Sequence, residues 1–189
     1  MISMPFLKDE NVIVLDFLPR GHATGRQEPL AQVIGEKYFS LLEVVVKKEI
    51  AIKSGDKIYI GDAKRDHVEH IKRRITTKDL TSFARSELPF VVEKLVKENE
   101  EKFVNFFNNA RPITTRLHQL ELLPGVGKKH MWDIIKERKK GEFKSFSDIK
   151  NRIKLMPDPA SSVIKRVMEE LEGDNIRYRL FVTGPVRRF

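Results

Sequence analysis

The 189-residue chain contains no cysteine, one tryptophan and three tyrosines. Without thiols it can form no disulfide, no thiolate nucleophile and no cysteine-ligated zinc or iron-sulfur centre. Long apolar runs are missing too. Nothing approaches the ~20 consecutive apolar residues of a membrane span, and residues 1–10 mix Pro, Lys, Asp and Glu instead of forming a signal sequence. The expectation is a cytoplasmic protein with no membrane role. There is also no nucleophile elbow, no glycine-rich nucleotide loop and no paired-carboxylate metal signature. Asp62, Asp66, His67, Glu69 and His70 gather imidazoles and carboxylates within nine positions. They lack a third spaced ligand of a known type and read as a charged surface segment, although His67 and His70 could share a helical face. A non-enzymatic protein is expected, with no catalytic residue, no metal and no cofactor.

What the chain does have is positive charge, unevenly distributed. The net charge is +9. Residues 1–76 carry 13 basic and 11 acidic groups, residues 77–110 carry 5 and 6, and residues 111–189 carry 18 and 10. The excess sits in the C-terminal part, where a polyanion would be attracted.

Hydrophobic periodicity divides the chain. Over 1–76, short β-favouring runs at Val12–Leu15, Leu30–Ile34, Tyr38–Val46 and Lys57–Ile60 alternate with glycine turns. This predicts a small closed barrel of OB-like type, because closure removes exposed edges. Over 77–110 the period becomes helical, with Phe103, Phe106 and Phe107 as core positions of a connector that stops at Asn108–Asn109. Over 111–175 the chain repeats itself at an offset of 33: Leu120 falls on Ile153, Leu123 on Met156, Pro124 on Pro157 and Ile134 on Val167. Each copy reads as helix, tight turn and second helix, the first helix of the first copy carrying Ile113, Leu117 and Leu120. The alternation at Ile176–Val182 predicts a strand, followed by a tail to 189. The expected fold class is thus α+β, a β-barrel followed by a helical connector and an all-α tandem helical unit.

The segment Leu120–Arg138, with Leu123-Pro124-Gly125-Val126-Gly127 at its turn, resembles the helix-hairpin-helix motif of many DNA-binding and repair proteins. The resemblance implies phosphate contacts through the backbone NH groups of Gly125, Val126 and Gly127, in some members with a monovalent cation. Elementary physics points the same way. A helix starting here leaves its first NH groups without intrahelical partners, and glycines let a phosphate approach closely. Lys128 and Lys129 put positive charge at the positive end of the helix dipole, an arrangement that an anion would relieve. The second turn reads differently: Asp158 is placed to cap its own helix and Pro159 to start it. Lys139, Lys140 and Lys144 belong to the densest basic cluster and suit contacts that neutralise the backbone without reading sequence.

As a whole the chain resembles an uncharacterised archaeal family of predicted RNA-binding proteins, with an N-terminal β-rich domain and a C-terminal tandem helix-hairpin-helix region. The resemblance implies binding to an RNA or DNA backbone and carries no activity with it. The alternative expectation is a protein-protein interaction module in a ribosomal or DNA-repair assembly, or a repair glycosylase or nuclease. For the glycosylase, Ser147-Asp148-Ile149 does not reproduce the aspartate context that such enzymes show. Trp132 discriminates the readings, since exposed it suits a partner or a base and buried it is core.

Overall fold

Two strands that are apolar almost end to end organise the first unit. β2 (Leu30–Gly35) and β3 (Leu41–Val46) are buried at every position, so both faces of the sheet are covered. With β1 (Asn11–Leu18), β4 (Lys57–Tyr59) and β5 (Val68–Arg74) they form a five-stranded antiparallel sheet in the order β4-β1-β2-β3-β5. The computed structural model describes residues 8–173 and 176–183. One face of the sheet carries Val12, Val14, Ala31, Val33, Val44 and Val68 into an apolar core.

The opposite face carries a polar row in strict register. Asp16 pairs with Gln32, Gln32 with Glu43, and Glu43 with Arg73 across four strands. Glu43 is buried and accepts from Gln32 Nε2 at 3.1 Å and Arg73 Nε at 2.8 Å, while His22 Nε2 lies 2.7 Å from Oε1. Burial pushes the Glu43 carboxyl up, but the hydrogen bonds of Gln32, Arg73 and His22 outweigh it and hold the pKa below its ordinary value. Gln32 also donates to the Asp79 carbonyl and accepts from the Thr81 NH. Thr81 caps α1 (Ser82–Glu98) through its hydroxyl. The row thus fixes where the sheet hands over to helix.

The expected closed barrel is instead an open, curled half-barrel, since among the described residues β4 and β5 end the sheet and do not pair with each other. The edges explain why it stays open. β4 has three residues, and six of the seven positions of β5 are exposed and mostly charged, which discourages further pairing. His70 therefore sits in a strand and not on a helix shared with His67. The third strand begins at Leu41 and not at Tyr38, because residues 37–40 form a turn clamped by the buried Asp9, whose Oδ1 accepts the NH groups of Lys37 at 2.8 Å and Tyr38 at 2.9 Å. No strand forms over 176–183. The buried Glu170 carboxylate takes the NH groups of Leu180, Phe181 and Val182, leaving none of them for a sheet ladder.

The chain divides into two compact units, residues 8–91 with 170–183 and residues 92–169, so the boundaries fall inside two helices. The second unit draws its core from α2 (Glu100–Asn109), α3 (Lys128–Lys140), α4 (Phe146–Arg152), α5 (Pro159–Glu172) and the end of α1. Phe103 and Phe107 are buried as expected, with Phe106 edge-on to Phe107 at 5.9 Å. The repeat positions Leu120 and Ile153, Leu123 and Met156, and Ile134 and Val167 are all buried. The helix expected over Ile113, Leu117 and Leu120 is absent. There, β6 (Pro112–Thr114) pairs with β7 (Leu117–His118), followed by a 3-10 turn at Gln119–Leu122. Pro112 and the β-branched run Ile113-Thr114-Thr115 favour extended backbone, and they override a helical spacing carried by only three residues.

Candidate nucleic-acid interface

The turn before α3 is built on one obligatory glycine and one permissive one. Gly125 has φ +83°, and a Cβ added there would lie 2.6 Å from Pro157 Cγ, so both dihedral and contact exclude a side chain. The contact also shows that the two turns of the repeat touch. The Ser162 hydroxyl at the start of α5 reinforces it by donating to the Pro124 carbonyl at 2.9 Å. Gly127 is different: it has an extended φ of −86° as the N-cap of α3, is exposed, and a Cβ there would meet nothing within 4 Å.

Around Gly127 the helix start is bare. No side chain caps α3 and no acidic residue stands in its first turn. Among the described residues nothing accepts from the NH groups of Gly127, Lys128, Lys129 or His130. Those amides are the ones that an α-helix leaves unsatisfied. Val126 is placed otherwise than expected, since its side chain is buried and its NH donates to the Leu123 carbonyl at 3.0 Å. It anchors the turn and offers no amide outward.

The lysines fall into two groups. Lys128 and Lys129 are exposed at the head of α3. Lys128 Nζ lies 3.4 Å from the largely buried Glu121 carboxylate and 3.3 Å from the Arg116 carbonyl, and with the ammonium itself in water this long pairing is worth about 1 kcal/mol. Such a pairing yields easily to a phosphate. Lys139 and Lys140 stand at the far end of the same helix, about 18 Å away at 1.5 Å per residue, and Lys144 follows in the next loop. They do not flank the turn. Lys140 pairs with Glu137, and all three are exposed. Arg138, on the buried side, donates to the carbonyls of Phe107 at 3.0 Å and Ala110 at 3.1 Å and so closes the end of α2.

Sequence reasoning missed His118, which is buried and accepts the Leu120 NH on Nδ1 at 3.1 Å, capping the 3-10 turn that leads into Pro124. Burial lowers its pKa, the Arg138 charge lowers it further, and Glu121 partly opposes both. The neutral ring is the form that can accept this bond. His118-x-x-Glu121, with the Glu121 carboxylate receiving the His118 NH at 2.9 Å, closes as a capping box in which histidine stands where the usual signature has Ser or Thr, so the signature does not announce it.

The second turn is closed. Asp158 Oδ2 accepts the Ser161 NH at 3.0 Å, occupying the start of α5 as its residue type implies.

An α+β protein whose described residues form an open five-stranded half-barrel and five α-helices, with an uncapped helix start beside Lys128 and Lys129, defines the class. The chain belongs to the DUF655 family, a family of proteins of unknown function, which matches residues 8–183. It is 46% identical over 170 residues to an uncharacterised protein of Methanocaldococcus jannaschii, MJ0038, covering 89% of this chain and 77% of that one. The crystal structure of Af1531 from Archaeoglobus fulgidus, assigned to the same family, is similar with a TM-score of 0.82 and 47% identity, over 93% of this chain and 100% of that one. Among the described residues, no helix is long and apolar enough to cross a membrane.

Proposed function

We propose that this protein binds the sugar-phosphate backbone of RNA or DNA without strong sequence preference, through a turn of helix-hairpin-helix type at Pro124–Lys129, and that it acts by binding and not by catalysis. The observation that carries the reading is the bare start of α3: open amides, room at Gly127, no acidic residue in the first turn of the helix and two exposed lysines. Amides at a helix start attract anions, and lysines add charge that every phosphate sees alike. The 33-residue repeat and the contact between the two turns support a paired-hairpin scaffold, with a 3-10 turn in place of the first helix. Lys139, Lys140 and Lys144 extend the contact along the strand, one helix length away.

The test is the double variant Lys128→Glu/Lys129→Glu, with affinity measured against salt for several unrelated sequences. Affinity should fall at least tenfold for all of them, and the slope of log K on log salt should flatten by about two. Unaltered affinity and slope would remove the turn from the contact.

A second reading, a protein partner, has one observation of its own. Phe83 and Phe90 stand seven residues apart on α1 and are 51% and 69% exposed. Two large exposed aromatics on one helical face suit a protein surface better than a phosphate.

A further inference from the structure

Trp132 is the chain's one tryptophan, and it stands 64% exposed in the second turn of α3. On a helix its surface neighbours are the residues three and four positions away. Here they are Lys128, Lys129, Ile135 and Lys136, with Lys139 a further turn along the same side. Met131 and Ile134 are buried on the opposite side with the half-buried Arg138. The outer face of α3 is therefore an indole set among four lysines. Of the two acidic residues in the helix, Glu137 is taken up by Lys140 and Arg152, and Asp133 is half-buried.

An indole left in water forfeits the burial of a large apolar area, so its occupant is worth identifying. A second copy docking about a two-fold axis would set the same lysines against themselves. An apolar protein surface would have to strip water from several ammonium groups, which is why lysine is depleted from interface cores. A ligand with anionic groups at intervals and flat aromatic faces between them satisfies indole and lysines together. Duplexes hide those faces in the stack; unpaired strands expose them.

We infer that the outer face of α3 is a base-stacking site for single-stranded nucleic acid, in which Trp132 stacks on an unpaired base while Lys129, Lys136 and Lys139 hold the flanking phosphates. This rests on the proposed backbone binding and adds to it a preference for strands with accessible bases.

The indole is its own reporter. Full-length protein is titrated with a single-stranded dT oligonucleotide of about 12 nucleotides, within the usual site sizes, and with a blunt duplex. Tryptophan fluorescence and the anisotropy of a labelled oligonucleotide are followed together. The strand should quench the indole saturably, in step with anisotropy, while the duplex binds without quenching. Trp132→Ala should weaken strand binding on the order of tenfold, leave duplex binding unchanged, and be largely rescued in Trp132→Phe. Strand binding with no fluorescence change, or equal loss for strand and duplex, overturns the stacking site and leaves the phosphate turn standing. No binding of either nucleic acid overturns both.

Discussion

The turns at Pro124–Gly127 and Pro157–Ala160 stand at equivalent positions of a repeat, touch each other, and treat the helices they start in opposite ways. In the second, Asp158 turns its carboxylate onto the Ser161 amide in the first turn of α5. In the first, glycine occupies the cap and the amides of α3 face outward beside two lysines. The difference teaches how a scaffold divides labour. Satisfying both helix starts internally would make the unit more stable and leave nothing for an anion to meet. Leaving one open under a glycine cap gives up only about a few tenths of a kcal/mol and creates a place where negative charge is welcome.

Substitutions can break this comparison at three depths, read first in stability. The deepest is Gly125→Ala. A left-handed φ costs a non-glycine residue roughly 1–2 kcal/mol, and the added methyl group meets Pro157. Urea denaturation should show a loss of about 2–3 kcal/mol. Adding Pro157→Ala should recover the contact part and leave the dihedral part. Next comes Asp158→Ala, which removes the cap of α5 and should cost about 1 kcal/mol with no loss of nucleic-acid affinity. A fall in affinity there would mean that the two turns share the contact. The mildest is Gly127→Asp, where the extended dihedrals and empty surroundings accept a capping side chain. Its melting temperature should hold or rise slightly.

Much of this architecture was legible because physical cause and residue type coincide locally. β2 and β3 are apolar runs bounded by turn residues, and they are buried strands. The cap at Asp158 and the closing glycine at Gly125 follow from residue preferences that need no tertiary knowledge. The failures have equally definite causes. β5 carries Glu69, His70, Lys72, Arg73 and Arg74 on both of its faces, so no alternation announces a strand. Ile113, Leu117 and Leu120 imitate a helical stripe over a stretch whose proline and β-branched residues prefer extension. Open barrel edges depend on pairings that a single strand does not record. At the candidate interface, Lys128, Lys129 and the two glycines were readable from the motif, but Val126 spends its amide inside the turn. The helix length between Lys128 and Lys140 separates a cluster that looks continuous in sequence. The exposure of Trp132 depends on which face of α3 the rest of the unit covers, and only the fold decides that.

The most direct test is the affinity of Gly127→Asp for nucleic acid, measured beside its thermal stability. The substitution gives the open turn the carboxylate of the closed one while leaving every lysine in place. Affinity should drop roughly tenfold or more, the work of about 1.4 kcal/mol, at unchanged or slightly raised melting temperature. A variant that is folded, as stable as the parent and undiminished in binding would contradict the central claim, because the amides of α3 would then hold no phosphate.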